Sequence, residues 1–346
     1  GAYTVQGKWM DGWETRRKRI TNPGQDWCII KLGRPGEIVG IELDTAFFTG
    51  NYSPRFSLQA ACIDSEPESL VALHNMRRDP NHPYGQIGSA CSDEDLATAE
   101  ALGTDRWADL VPFTPLQPGY AESRHHFFDV SGFGRVTHLR LNMFPDGGIA
   151  RLRVHGRVSP NWDTMAASAE VDLCSVLNGG LGISCSNRHF GVPGNLLGIG
   201  RGVNMGDGWE TARHLHRPPV LVMGADGNIK DLESDWAVIQ LGAIGTVHRV
   251  QIDTAHFKGN FPESCRVDAC YEPNHQDQAF EGDACAQRKW VPLLPRTKLG
   301  ADRIVDFTVA AGEVMHAGPI SHVRLSIFPD GGISRLRLFG TREPEK

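Results

Sequence analysis

Two short segments of this chain concentrate the side chains that acid–base and anion chemistry need. Asp11-Gly-Trp-Glu-Thr-Arg-Arg17 packs two carboxylates, a hydroxyl, an indole and guanidinium groups into seven residues, and Asp207-Gly-Trp-Glu-Thr-Ala-Arg213 repeats it at six of seven positions. Glu14 and Glu210 are candidate general bases, and Asp11, Arg17, Asp207 and Arg213 candidate substrate-binding groups. The plainer account of one such segment is a core tryptophan beside a solvated ion pair, because most charged side chains face water. Retention of Asp, Glu, Thr and Arg in both copies shifts the balance toward a site.

A second pair of blocks adds to the set. Asp44-Thr-Ala-Phe-Phe-Thr-Gly-Asn51 and Asp253-Thr-Ala-His-Phe-Lys-Gly-Asn260 agree at six of eight positions. Asp44 and Asp253 read as polar groups where a strand enters a loop, a second choice of catalytic carboxylate. Asn51 and Asn260 are substrate-binding amides or, on the other account, turn formers, since Gly-Asn tolerates left-handed geometry. The copies differ at Phe47 against His256 and at Thr49 against Lys258, so if they share the work unequally, a catalytic His256 and a binding Lys258 make repeat 2 the better equipped.

His138 and His322 each precede an arginine by two residues, Arg140 and Arg324. On an outward strand face, imidazole beside guanidinium suits an anionic ligand, with those histidines as catalytic acids; a merely solvated face is the alternative. Arg151 and Arg335 follow a Pro-Asp-Gly-Gly turn and have the planar fork that clamps a carboxylate. Asp146 and Asp330, inside that turn, read first as turn residues. No dinucleotide, Walker, nucleophile-elbow or His-Glu-x-x-His signature occurs, so no cofactor is evident. Carboxylates and histidines are plentiful enough for one divalent ion, but their spacing identifies no metal site.

The elements that must position these residues come in two sets. Phe144-Pro-Asp-Gly-Gly-Ile-Ala-Arg-Leu-Arg-Val-His-Gly156 returns from Phe328 to Gly340 with ten of thirteen positions identical. With Asp26–Gly33 against Asp235–Gly242, four blocks recur in the same order, which marks a duplicated domain rather than a solenoid of roughly 20 to 50 residues per repeat. The division expected is repeat 1 over 1–158, a linker over 159–168 and repeat 2 over 169–346. Repeat 2 has a long lead-in before Asp207 that repeat 1 lacks before Asp11. That difference predicts a further N-terminal segment of roughly 30 to 40 residues in the complete protein.

Period-two alternation dominates the matched blocks. Leu139, Leu141 and Met143 share one face and His138, Arg140 and Asn142 the other, and 321–327 repeats the arrangement. The Pro-Asp-Gly-Gly turn is expected to close a hairpin onto the strand carrying Arg151 and Arg153. Strands are also expected over Trp27–Leu32, Val39–Thr45 and Phe56–Ala61 and their partners, giving an all-β, tandem jelly-roll β-sandwich. One helix is expected over Ser92–Leu102, in an insertion of repeat 1, with a local or oligomer-contact role.

The chain of 346 residues is long enough for two domains, is 40% hydrophobic and 22% charged, and carries a formal charge of −6. That balance, without a basic run, argues against nucleic-acid binding. No apolar run approaches the roughly 18 residues of a membrane span. Eight cysteines without CxxC pairs or zinc spacing read as reduced thiols of an intracellular protein.

Taken together, the doubled Asp-Gly-Trp-Glu-Thr, the Asp-Thr-Ala-x-Phe-x-Gly-Asn blocks and the doubled Phe-Pro-Asp-Gly-Gly-Ile-x-Arg-Leu-Arg resemble the allantoicase family over the whole chain. The resemblance implies tandem jelly rolls of the galactose-binding-domain-like kind that hydrolyse allantoate to ureidoglycolate and urea in purine breakdown. It also implies a homo-oligomer; the location expected, with the reduced cysteines, is cytoplasmic, and a peroxisomal one is left open. Allantoate carries a carboxylate and two ureido arms, so Arg140/Arg324 or Arg151/Arg335 would bind the carboxylate. Glu14/Glu210 or Asp44/Asp253 would act as base, and His138/His322 would protonate the departing urea nitrogen. The competing functions are a non-catalytic jelly-roll ligand-binding module and an inactive homologue, since fold alone does not fix function.

Overall fold

The computed structural model describes all residues except 1, 2, 5, 6, 18–23, 79–91, 231, 232, 275–279, 281 and 344–346. Cys91 therefore lies outside the described residues. The chain divides into two compact units, Gly1–Ser159 and Pro160–Lys346.

Unit 1 is built from β1 (Asp26–Asp44), β2 (Arg55–Ala61), β3 (Ala108–Pro115), β4 (His125–Asp129), β5 (Arg135–Phe144) and β6 (Arg151–Val158). The two strands expected at 27–32 and 39–45 are one 19-residue strand. Its first half pairs with β5, from Asp26 opposite Met143 to Lys31 opposite His138, and the register then slips before Gly36. Its second half pairs with β6 on one side and β4 on the other, with Asp44 opposite both Arg151 and His125. One strand thus serves both layers of the sandwich, as strands do at its corners. Beyond β5 lie β2 and then β3. Leu139, Leu141 and Met143 meet Phe56, Leu58 and Leu43 between the layers.

Unit 2 repeats this with β8 (Asp235–Asp253), β9 (Ser264–Cys270), β10 (Val291–Lys298), β11 (Ile304–Thr308), β12 (Ile320–Phe328) and β13 (Arg335–Arg342), and adds β7 (Leu181–Cys185). The lead-in belongs to its core: β7 pairs with β8, and Leu173, Leu196 and Leu197 are buried in the main apolar cluster. The expected linker also folds onto this unit, where Trp162–Thr164 makes a short 3-10 turn capped by Asn161 and Arg342 donates to the Trp162 carbonyl.

The Pro-Asp-Gly-Gly turn does not close a hairpin. β5 and β6 each pair with β1, and the turn leads into Gly148–Ile149, which pairs with Trp13–Glu14. In unit 2, Gly332–Ile333 pairs with Trp209–Glu210. Glycine allows this through close approach rather than through a tight loop. A Cβ on Gly148 or Gly332 would stand 2.1 or 1.9 Å from the ring of Phe48 or Phe257, and one on Gly12 or Gly208 would meet the same rings at 2.8 or 2.9 Å. Three recurring blocks therefore recur together because they pack on one buried phenylalanine per unit.

The polar faces of β5 and β12 are buried, not outward. His138 and His322 are each 1% exposed. Alternation correctly separated the two faces of each strand but could not tell a solvated second face from a covered one. In unit 1 it is covered by the connection from β2 to β3, which contains the expected helix as Asp93–Ala101, a second helix at Glu68–Arg78 and a short turn at Thr104–Arg106. In unit 2, Phe280 and Cys285 from the equivalent connection pack on Val238 and Cys270.

Candidate active site

The short strand Trp209–Glu210 is held on both sides. It pairs with Gly332–Ile333, and the backbone N–H and C=O of Glu210 bond those of Phe190 at 2.9 and 3.0 Å. Trp209 is wholly buried and donates its indole N–H to the Asn187 carbonyl. Alternation then turns the next residue, Glu210, away from the core. Asn260 Nδ2 donates to Glu210 Oε1 at 2.7 Å, while the Asn260 carbonyl accepts the N–H of Gly332. Unit 1 repeats both contacts, with Asn51 donating to Glu14 at 2.6 Å and accepting from Gly148.

The shared spacing of threonine in the two blocks also has a cause. Thr211 donates its backbone N–H to the Gly331 carbonyl, and its hydroxyl accepts the Gly331 N–H at 3.1 Å. Thr15 and Gly147 form the same reciprocal clasp. In unit 2, Asp330 extends it: Oδ2 accepts the His214 N–H at 3.1 Å and Oδ1 the Arg217 Nη1 at 2.6 Å. Glu210, Thr211, Asn260, Arg213, Arg217, Asp330, His189 and Phe190 surround a cleft of about 230 Å³. That is below the roughly 300 Å³ at which pockets for drug-sized ligands begin, and suits a small metabolite. Arg213 is exposed and makes no hydrogen bond or ion pair with the described residues.

A family model described as the allantoicase repeat matches residues 1–159 and 171–343. The chain belongs to the allantoicase family. A probable allantoicase from Photobacterium profundum is 42% identical over 338 residues, covering 98% of this chain and 84% of that protein. A probable allantoicase of Burkholderia mallei is 42% identical over 341 residues, covering 99% and 83%. The crystal structure of allantoicase from Saccharomyces cerevisiae superposes with a TM-score of 0.61 at 34% identity, covering 98% of this chain and 83% of that one.

Within this allantoicase fold the expected site residues separate into three groups. Glu210, Asn260 and Arg213 come together at the cleft, and Glu14 and Asn51 pair at the matching place in unit 1, where Arg17 is exposed.

A second group fastens loops. Asp44 and Asp253, expected as accessible polar groups, are buried, and Oδ1 of each accepts the N–H two residues on, at 2.8 Å. Arg124 lies 3.3 Å from Asp44, and Arg201 grips Asp253 with two bonds of 3.0 and 3.1 Å. Arg335, expected as a carboxylate clamp, instead donates to the carbonyls of Gly200, Asp207 and Ser334, and burial pushes its pKa down. Arg151 bonds both the carboxylate and the carbonyl of Asp11, and the carboxylate bond raises its pKa. Asp207 accepts the Val203 N–H. His256 sits at φ 71°, as its counterpart Phe47 does at 70°. Its Nε2 lies 2.8 Å from the Gly202 carbonyl, which can only accept, so that nitrogen carries the proton. Lys258 faces Asp302 at 3.8 Å.

The third group lies on the covered sheet faces. His138 Nε2 meets Glu66 at 2.7 Å, Arg140 bonds Thr104 and Asn142 and stacks on Trp27, His322 stacks on Phe280, and Arg324 pairs with Asp268 over Trp290. His138 precedes the strand end at Phe144 by six residues, roughly 20 Å of extended chain. Within either unit, these residues are not brought to the Glu–Asn pair.

Comparing the copies could not reveal His189 and Arg217, which stand outside the matched blocks. Asp330 is legible as a repeated residue, with a turn role as its first reading and a site role as the lesser one. Among the described residues, Glu42, Asp44 and His125 have metal-ligand spacing. Their charges are already met: Arg153 and His125 Nδ1 bond Glu42, Arg124 lies against Asp44, and Arg124 Nε donates to His125 Nε2. A divalent ion there would have to displace two guanidiniums. The seven described cysteines are free, and burial pushes Cys28, Cys265 and Cys270 up to about 12, far from a nucleophilic thiolate.

Proposed function

We infer that this protein is an allantoicase in activity as well as in family, a hydrolase of purine catabolism that converts allantoate and water to ureidoglycolate and urea. The observation that carries the reading is the Glu210–Asn260 pair lining one small cleft together with Arg213. Arg213 binds the substrate carboxylate. Glu210, oriented by Asn260, takes a proton from the attacking water. His189, which lines the same cleft, gives a proton to the departing urea nitrogen, the role that the buried His138 and His322 cannot reach.

Unit 1 repeats the pair as Glu14–Asn51, with Arg17 exposed, so the same base is available in both units. Urea release from allantoate, with calorimetric titration of allantoate alongside, is the deciding measurement. Binding without turnover would leave a ligand-binding module or an inactive homologue.

We further propose that the protein is a cytoplasmic homo-oligomer. Free cysteines fit a reducing compartment, and Leu215, Val203 and Val220 expose apolar surface of the kind that subunit contacts cover. No helix among the described residues is long and apolar enough to cross a membrane. Sedimentation at micromolar concentration would show the assembly; a monomer would reject it.

A further inference from the structure

Hydrolysis of a ureido C–N bond needs more than a base and a carboxylate clamp. When that bond breaks, its electron pair moves onto the ureido nitrogen and, by amide resonance, onto the ureido carbonyl oxygen. A donor fixed where this charge gathers stabilises the transition state more than the ground state.

Arg217 has the means to do this. It lines the cleft with Glu210 and Asn260, and its side chain is 21% exposed. One of its five N–H donors goes to Asp330 Oδ1 at 2.6 Å, and the rigid fork leaves others to a ligand. Asp330 is 6% exposed, and its other oxygen accepts the His214 N–H. The Arg217 backbone N–H in turn bonds the His214 carbonyl, and His214 Nε2 lies 3.0 Å from Asp235 Oδ2. The arginine is thus tied to one turn at both its backbone and its tip, which restricts where the guanidinium can sit.

We propose that Arg217 is a catalytic residue that binds the carbonyl oxygen of the departing urea, and that Asp330 is its positioning residue. The proposal rests on the assignment of this cleft to allantoate hydrolysis. Water loses a proton to Glu210 and its oxygen bonds to the central carbon. The C–N bond breaks with its electron pair shared by the ureido nitrogen and the oxygen beside Arg217. His189 then protonates the nitrogen, so that neutral urea leaves with the proton from His189 while Glu210 keeps the one from water; exchange of one proton with solvent at each residue restores the starting state. Arg213 keeps the carboxylate throughout.

The rival account is a strap: the Arg217–Asp330 pair would merely hold residues 211–217 in place. Steady-state urea release and thermal midpoints of Arg217→Gly, Arg217→Gln, Asp330→Asn and the double variant Arg217→Gln/Asp330→Asn separate the two. Loss of one fixed donor to developing charge predicts a fall in kcat of about 100-fold for Arg217→Gln, with KM moving by less than about three-fold. Asp330→Asn should lower kcat in the native background and have no further effect beside Arg217→Gln, because both act through one guanidinium. Added guanidinium ion should restore part of kcat to Arg217→Gly, a readout a strap would not give; it also decides the case if Arg217→Gln folds poorly. Retained kcat in a folded Arg217→Gln, or a change in KM alone, would overturn the role of Arg217. Additive losses in the double variant would overturn that of Asp330. A wild-type protein that releases no urea overturns the function itself, and that is seen before any variant is compared.

Discussion

At the scale of single residues, the proposed reaction rests on Glu210 and its amide partner. Replacing Glu210 by Gln keeps the shape and the bond partner but removes the base, and should lower kcat for urea release by about 100-fold or more. Replacing Asn260 by Ala leaves the base but frees its orientation, so a smaller fall, about ten-fold, is expected in the same assay. Glu210, Asn260 and Arg213 were legible in the sequence because each recurs with its neighbours in both copies. His189 and Arg217 were not, because they stand outside the matched blocks and only folding brings them to the cleft. The two strand histidines misled for a physical reason. A polar face of period two looks the same whether water or another segment covers it, and here the segment between two strands does.

At the scale of elements, one buried phenylalanine per unit gathers the recurring blocks. Gly332 approaches the Phe257 ring so closely that a methyl group would force the turn or the ring to move. Gly332→Ala should therefore destabilise unit 2 by about 1 to 3 kcal/mol. A lower denaturant midpoint at unchanged m-value would register it. The covered face of unit 1 makes a different prediction. The hydrogen bond from Lys31, helped by that of His138 and opposed by partial burial, holds Glu66 below its ordinary value of 4.5. A depressed carboxylate contributes stability above its unfolded pKa and loses it as pH falls through the lower folded value. Wild-type stability should thus decline as pH drops below about 4.5, and Glu66→Gln should flatten that part of the profile in denaturant melts. An unchanged slope would show that the pair contributes nothing measurable.

At the scale of the whole molecule, duplication repeats the frame of the site and varies what surrounds it. Repeat 2 was expected to be better equipped because of His256 and Lys258, yet those residues fasten a loop to Gly202 and Asp302. In unit 2 the lead-in adds strand β7, plugs the core with Leu173, Leu196 and Leu197, pairs Phe190 with Glu210 and places His189 on the cleft lining. Retention of more than about half of the urea-releasing activity in Glu14→Gln, the small effect of a surface change away from the chemistry, would assign turnover to unit 2. Equal losses from Glu14→Gln and Glu210→Gln would mean that both halves work.

By itself the sequence determined that a β-sandwich occurs twice, which blocks frame each copy, and that the chain resembles the allantoicases. Those properties are local or repeated, so alternation and self-comparison expose them. The tertiary structure decided which of the repeated polar residues meet. Burial, strand order and the path of the lead-in depend on contacts far apart in the chain, and no spacing along it encodes which face of a strand stays open to water.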